Sequence, residues 1–146
     1  MDLLKDIFEL QEGLNNDIFA KQCIVHTGTF LTMNRIRADV TAGNLGPNDL
    51  PNVWIGKYLW ALQKEAGELD AEVLKKWWSK DKIDIQNIRV EIIDMMHFLT
   101  SMAIAAGLTA EEFHRLYTAK HRVNQNRQEN GYSMATKDEA DNKGIV

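Results

Sequence analysis

The chain has 146 residues, 45% of them hydrophobic and 26% charged, which suits a globular protein with its own hydrophobic core. Its formal net charge of −4 argues against a protein that coats nucleic acid, so we expect no nucleic-acid partner. The single cysteine, Cys23, excludes an internal disulfide bond and favours a reducing, cytoplasmic setting.

The first predicted element is a helix near 3–20, because apolar residues recur there at helical spacing. It begins with MDLLKDIFEL, which lacks the basic start and the apolar region of a signal peptide. Residues 22–51 show little periodicity, and we predict a long loop there with a short helix around 32–40. Loops of this length in small domains are commonly functional or mobile.

Three more helices are predicted, near 52–78, 84–106 and 109–130, with a turn at SKDK between the first two. The second of them should end at Gly107, and TAEE at 109–112 is a capping box that starts the last. The run FLTSMAIAAGL is too short to cross a bilayer as a helix, so no membrane association is expected. Strand-like alternation is absent, which predicts an all-α fold, an antiparallel helical bundle of four main helices.

Four carboxylates interrupt the apolar faces of two neighbouring helices: Glu65 and Glu68 in KEAGEL, and Glu91 and Asp94 in VEIIDMMHFL. The members of each pair are three residues apart and share a helix face. Glu65 and Asp94 are equidistant from one point within SKDK, and so are Glu68 and Glu91. In an antiparallel hairpin, all four side chains should therefore meet at one level, about 17–22 Å from the turn.

Negative charges packed at one level repel each other, and a hard divalent cation offsets that repulsion. Oxygen ligands favour Mg²⁺ or Mn²⁺, and Mg²⁺ held in this way is often shared with substrate phosphates. Solvated surface glutamates would explain either pair alone. Two pairs mirrored about one turn favour a metal site.

The last predicted helix carries Lys120, Asn124 and Arg127 on one face, at i, i+4 and i+7. Counted from the turn before this helix, Lys120 should be level with Asp94, and Asn124 level with Glu91 to within one residue. Cations and an amide beside a metal held by carboxylates suit a site that binds a polyphosphate. Salt bridges on an exposed helix are the alternative interpretation.

The segments EAGE and EIID, with 22 residues between them, resemble the paired acidic motifs of the all-α nucleoside triphosphate pyrophosphatases. LQEGLN, KKWW, EIIDMMHF and KHRVNQNRQENGY extend the likeness from Leu10 to Tyr132. Within that superfamily the chain resembles the dimeric dUTPase branch, including the dCTP/dUTP pyrophosphatases of tailed phages. The resemblance implies a MazG/dimeric dUTPase-like bundle over 1–132. The C-terminal tail over 133–146 is polar and lacks periodicity, so we expect it to be flexible when no ligand is bound.

The resemblance also implies three groups of site residues. The ligands of Mg²⁺, or of Mn²⁺ in its place, would be Glu65, Glu68, Glu91 and Asp94, with Glu65 or Glu68 orienting or deprotonating the attacking water. The phosphates would be contacted by Lys120, Asn124, Arg127 and Tyr132, the tyrosine coming from a tail that orders on binding. Gln11 and Asn15 would face the nucleoside, Trp54 would lie near the base, and His97 beside the deoxyribose.

The implied reaction is hydrolysis of dUTP, and also of dCTP, to the monophosphate and diphosphate, in the host cytoplasm if the chain is phage-encoded. A homodimer is expected, because four helices offer too little interior for so many large apolar residues and because the relatives assemble in pairs or as higher oligomers. The segment between LQEGLN and Trp54 aligns with nothing in the family, which leaves the base open. A MazG-like house-cleaning enzyme for purine deoxynucleotides is therefore an alternative.

Two further interpretations belong to other classes. A non-catalytic helical interaction protein could bind a partner through Trp77 and Trp78, although tryptophans at a helix end more often make core or dimer contacts. A di-iron centre is suggested by Asp94-x-x-His97 and by the similar pair at 111 and 114. Those two pairs would differ by about 9 Å in height along their helices, which disfavours a dinuclear site.

Overall fold

The structure is a computed structural model, and it describes residues 1–131, 133–135 and 138–145. These residues form, in chain order, α1 (Leu3–Lys21), β1 (Val25–His26), β2 (Thr29–Phe30), α2 (Met33–Ala42), α3 (Leu50–Glu72), α4 (Ile85–Ala105), α5 (Ala110–Glu129) and a 3-10 helix (Glu139–Ile145). The chain divides into two compact units, Met1–Gly107 and Leu108–Val146. Within the described ranges, no single helix is long and apolar enough to cross a membrane; α4 and α5 taken together meet that test by length and composition only.

The helical fold confirms the expected class, and the helix starts follow local chemistry. The Asp2 side chain accepts a hydrogen bond from the Lys5 backbone N–H and caps α1, and Thr32 caps α2 in the same way. Thr109 and Glu112 form the predicted capping box at the start of α5. The short helix expected around 32–40 is α2.

The predicted bounds of α3 are wrong at both ends. It begins at Leu50, with Asp49 as the N-cap and Pro51 in its first turn, and it ends at Glu72 instead of residue 78. Val73 takes an extended conformation, φ −83° and ψ 122°, and the connection 73–84 then leads to α4. Neither glycine nor proline marks this end in the sequence, so local propensity alone would continue the helix.

Residues 25–30 form a small antiparallel hairpin, which corrects the expectation that strands are absent. Val25 pairs with Phe30, and His26 pairs with Thr29. The two turn residues, Thr27 and Gly28, both have positive φ, at 50° and 83°, as a tight hairpin turn requires. Strands of two residues are too short to produce a recognisable alternation of apolar and polar side chains.

The first unit is built around α3 and α4, which pack against each other along much of their length. Helix α1 packs on α4, and α2 packs on both α3 and α4. The largest fully buried side chains include Phe19 of α1, Met33 and Ile36 of α2, and Ile104 of α4. The segment 22–51 therefore contributes to the core, through α2, and is not a long surface loop.

One face of α1 is buried although two of its four buried residues are polar. Phe8, Gln11, Asn15 and Phe19 recur at i, i+3, i+7 and i+11 and are all buried. The neighbouring face exposes leucine and isoleucine: Leu3, Ile7, Leu10, Leu14 and Ile18 are each at least 40% exposed. The amide groups are therefore buried more deeply in the first unit than these apolar side chains.

We expect Gly107→Ala to destabilise the protein by at least about 2 kcal/mol, since a Cβ there would combine backbone strain with overpacking. Gly107 has φ +86°, and its Cβ would lie 2.9 Å from Cγ1 of Val40. Gly43→Ala isolates the backbone cost, about 1–2 kcal/mol, because its φ is +77° and its Cβ would meet no described atom within 4 Å.

The positive control for this series is Gly13→Ala, where the glycine is exposed on α1 and has open space around it. Alanine should stabilise the helix there by about 1 kcal/mol. Urea unfolding of the three variants measures the differences. An unfolding free energy for Gly107→Ala equal to that of Gly43→Ala would show that the contact with Val40 costs nothing.

Candidate active site

Three carboxylates meet between α3 and α4. Glu65 of α3 and Glu91 and Asp94 of α4 each offer one oxygen, and these three oxygens lie within 4.8 Å of one another. All three side chains are half-buried. The structure thus brings together three of the four carboxylates that the mirrored spacing placed at one level, and we call these three the acidic cluster.

Two further glutamates border the acidic cluster from α3. Glu68, the fourth predicted ligand, is exposed, and its charge acts on both Glu65 and Glu91. Glu72, which the sequence analysis missed, is half-buried and acts on Glu91. Its spacing of four residues from Glu68 places it on the same helix face and could have revealed it. Along α3, Glu65 comes before Glu72, whereas their neighbours on α4, Asp94 and Glu91, come in the reverse order. The two helices therefore run antiparallel.

The carboxylates of the acidic cluster are electrostatically strained. Burial raises the pKa of Glu65, and the charges of Glu68 and Asp94 raise it further. Burial likewise raises the pKa of Glu91, with contributions from its acidic neighbours. In addition, Oε2 of Glu91 is buried and has no hydrogen-bond partner among the described residues. Such an oxygen needs a proton or a cation.

The donor set of the acidic cluster fits a hard divalent cation. Every available ligand atom is a carboxylate oxygen, and the buried Oε2 of Glu91 is left for such an ion to bind. Mg²⁺ and Mn²⁺ prefer oxygen ligands, whereas the softer metals select sulfur or imidazole. The residues present therefore fit the magnesium or manganese site expected from the sequence.

A cavity of about 540 Å³ opens beside the acidic cluster. Glu65 and Asp94 form part of its wall. The wall also includes all four residues expected to face the nucleoside, namely Gln11, Asn15, Trp54 and His97. Its other lining residues are Leu14, Ile18, Phe19, Tyr58 and Phe98. Carboxylates at one side and apolar and amide groups elsewhere suit a ligand with a charged end and a flat, partly apolar body.

An aromatic group forms one side of this cavity. The ring of Trp54 packs edge-on against Phe19, with centroids 4.8 Å apart, and lies 5.7 Å from the ring of Tyr58. Burial raises the pKa of Tyr58, so its phenol stays protonated, and its hydroxyl donates to Sδ of Met33. These rings are held in place from behind and offer a rigid surface on which a base can pack.

Polar groups of α1 and α4 form another part of the wall: Gln11, Asn15 and His97 line the cavity. Ser101 of α4 binds Gln11 and Asn15, and we call these four residues the amide network. Gln11 and Asn15 are 6% and 3% exposed, and Ser101 is fully buried. Oε1 of Gln11 lies 2.6 Å from Nδ1 of His97. The sequence analysis missed Ser101, although a serine within the apolar run of α4 is the same kind of anomaly as the carboxylates.

The candidate phosphate-binding residues belong to the second unit, which is described by itself. Nζ of Lys120 donates to Oδ1 of Asn142 (2.5 Å), and Arg127 pairs with Asp141 (3.2 Å). Asn124 is exposed on the same helix. Tyr132 lies outside the described residues. The level of this helix relative to the carboxylates stays a prediction, as do the phosphate roles.

Comparison with known proteins bears on the family. A family model described as dUTPase matches residues 3–114. The chain belongs to this dUTPase family. The matched residues include the acidic cluster, the cavity and the amide network, whereas Lys120, Asn124 and Arg127 lie beyond them.

Two phage proteins named dCTP pyrophosphatase are similar to this member of the dUTPase family. The protein from Enterobacteria phage T4 is 33% identical over 79 residues, which are 54% of this chain and 40% of that protein. The protein from Enterobacteria phage LZ5 is 34% identical over 79 residues, covering 45% of this chain and 46% of its own length. The match therefore spans less than half of each relative. No solved structure matches the chain.

Metal-free protein should become more stable when Glu91 is replaced by glutamine. The substitution removes a negative charge that is disfavoured by burial and by neighbouring carboxylates. The raised pKa of Glu91 means that the wild type loses stability as pH rises through that pKa. The gain from Glu91→Gln should therefore be small in acid and larger near neutral pH.

Mn²⁺ or Mg²⁺ should raise the thermal midpoint of the wild type and have little effect on Glu91→Gln, since the ion binds only the folded acidic cluster. Thermal unfolding between about pH 4 and pH 8, with and without metal, measures both effects. Glu9→Gln is the control, because Glu9 is exposed on α1. A Glu91→Gln variant that is less stable than the wild type without metal, or equally stabilised by it, would contradict the assignment.

Proposed function

We propose that this member of the dUTPase family is a metal-dependent pyrophosphohydrolase of deoxynucleoside triphosphates, which releases the monophosphate and diphosphate. The observation that supports this most is the composition of one cavity wall. Glu65 and Asp94 of the acidic cluster line the same cavity as Gln11, Asn15 and Trp54. A nucleotide whose base lies against the aromatic and amide groups would direct its phosphates towards the carboxylates.

In this proposal, Glu65, Glu91 and Asp94 hold Mg²⁺ or Mn²⁺, with Glu68 completing the set from its exposed position on α3. A bound ion would neutralise charge on the phosphates and lower the pKa of a coordinated water. Glu65 or Glu68 orients or deprotonates the attacking water. Burial and the charges of Glu68 and Asp94 raise the pKa of Glu65, which suits that carboxylate to accept a proton.

Lys120, Asn124, Arg127 and Tyr132 are proposed to contact the phosphates. Their present partners support this assignment for two of them. Arg127 pairs with the Asp141 carboxylate and donates to the backbone carbonyl of Asp138, and Lys120 donates to the Asn142 amide. A guanidinium held by a carboxylate and a carbonyl oxygen is arranged to bind phosphate oxygens, which would replace them.

The substrate is proposed to be a pyrimidine deoxynucleotide, with dUTP first and dCTP close behind. The family is described as dUTPase, and both phage relatives are named dCTP pyrophosphatases. The aromatic side of the cavity, at Trp54, Phe19 and Tyr58, offers a stacking surface that any base can use. The choice of base therefore rests with the polar groups of the wall.

Release of diphosphate from each deoxynucleoside triphosphate, at equal concentration and with Mg²⁺, tests the activity and its base. We expect dUTP and dCTP to lead. Glu68→Gln and Asp94→Asn should abolish turnover while the helical circular dichroism is retained, and Glu9→Gln should leave turnover unchanged. Full activity in excess EDTA would refute metal dependence.

A purine that led by tenfold would mean a difference of about 1.4 kcal/mol in transition-state binding. The pyrimidine assignment would then be wrong, although the enzyme class would stand.

We also propose a homodimer, on the strength of the apolar surface that the described residues expose. Trp60 is 62% exposed on α3, and Leu10 is 75% exposed on α1. Trp77 and Trp78 lie in the connection after α3 and are 88% and 67% exposed. They are therefore not part of the core of this chain. Apolar surface of this extent is typical of a protein–protein interface.

Light scattering at micromolar concentration should give twice the chain mass of 16.7 kDa. A mass near that of one chain would contradict the proposal. Leu10→Ser and Trp60→Ser place the same polar residue on two different helices. Loss of the dimer in one variant alone would identify the face that forms the interface.

A further inference from the structure

The hydroxyl of Ser101 is the centre of the amide network. Its Oγ lies 3.0 Å from three atoms, namely the backbone oxygen of His97, Nε2 of Gln11 and Nδ2 of Asn15. The side chain is fully buried in α4. A hydroxyl has one hydrogen to donate and two lone pairs that accept, so these three contacts use its full capacity.

The direction of each bond follows from the backbone carbonyl, which can only accept. The Ser101 hydroxyl therefore donates to the His97 oxygen, and both amides must turn their NH₂ groups towards Ser101. The flipped arrangement would surround a single hydroxyl hydrogen with three acceptor oxygens. Oδ1 of Asn15 lies farther from the hydroxyl, at 3.4 Å, and does not compete with the carbonyl.

With both amides fixed, their donors are used within the protein. The second N–H of Gln11 donates to Oδ1 of Asn15 (3.0 Å), and that of Asn15 donates to Sδ of Met33 (3.7 Å). Oε1 of Gln11 then faces Nδ1 of His97, which must carry the hydrogen of that 2.6 Å bond. In the neutral ring, Nε2 is left as an acceptor.

We propose that Ser101 is a positioning residue that makes this side of the cavity accept hydrogen bonds without donating any. The remaining capacity of Gln11, Asn15 and His97 consists of lone pairs, so the wall selects a base that presents an N–H group. This deepens the proposed function and rests on it for the identity of the ligand. Uracil offers N3–H, and cytosine offers its 4-amino group. The base 2-pyrimidinone has neither and adds no bulk.

Thr100 provides a matched control for Ser101. It is the next residue of α4, it is 2% exposed, and its hydroxyl donates to the Met96 backbone oxygen at 2.8 Å. Among the described residues, no side-chain amide forms a hydrogen bond with this hydroxyl. Thr100→Val therefore removes a buried hydroxyl with the same backbone bond and leaves the orientation of Gln11 and Asn15 unchanged.

The first test needs no substrate. Nitrogen-15 NMR of labelled histidine, assigned with His97→Gln, reports which ring nitrogen of His97 holds the proton. We expect the Nδ1–H tautomer in the wild type and in Thr100→Val. Ser101→Ala should populate the Nε2–H tautomer, because Gln11 is then free to turn over. A wild-type ring protonated at Nε2, or a Ser101→Ala ring unchanged from the wild type, would overturn the positioning role.

The second test compares kcat/KM for dUTP, dCTP and the deoxynucleoside triphosphate of 2-pyrimidinone. The wild type and Thr100→Val should favour both natural substrates by about tenfold or more, since the analogue leaves buried acceptors unpaired. That preference should shrink in Ser101→Ala. Equal turnover of the analogue by the wild type would overturn the proposal. If no deoxynucleotide is hydrolysed, the proposed function fails, while the tautomer measurement still decides the role of Ser101.

Discussion

The repulsion between half-buried carboxylates on α3 and α4 is the constraint on which the first unit depends. Burial raises the pKa of Glu65 and Glu91, and one oxygen of Glu91 lacks a partner among the described residues. Apolar side chains at these half-buried positions would make the fold more stable than the carboxylates do. The close approach of the three oxygens requires one antiparallel register of the two helices, and the surrounding apolar contacts must hold it. Local stability is thus given up at a cluster whose oxygen ligands fit a divalent cation.

The amide network imposes a second constraint on the same unit. Helix α1 buries Gln11 and Asn15 where leucine would pack more simply, so every buried polar atom must find a partner. Ser101 supplies the acceptors, and α2 contributes Met33 beneath Asn15 and Tyr58. The segment 22–51 therefore supports the cavity from behind. A network in which every donor has a partner has one low-energy arrangement, which makes the wall rigid.

Sequence periodicity and capping chemistry determined most of the helical fold, because both act within a few residues. Helices α1, α4 and α5 begin and end close to their predicted bounds. The meeting of Glu65 with Asp94 also followed from spacing, even though α3 ends six residues earlier than predicted. The register of an antiparallel pair of helices depends on the centre of the connection between them. The centre of 73–84 lies within about one residue of the midpoint between Glu65 and Asp94.

Only the tertiary structure decided the features that depend on distant residues. Ser101 meets Gln11 across 90 residues of chain, and no local pattern orients an amide towards a hydroxyl so far away. The end of α3 likewise lacks a local breaker, and the extended conformation of Val73 that ends it was visible only in the structure. The sequence alone determined which residue types the site contains, since charges and amides stand out on apolar helix faces. The packed helices were needed to show which atoms donate, which atoms accept and which oxygen has no partner. Hydrogen-bond direction is a property of the assembled network.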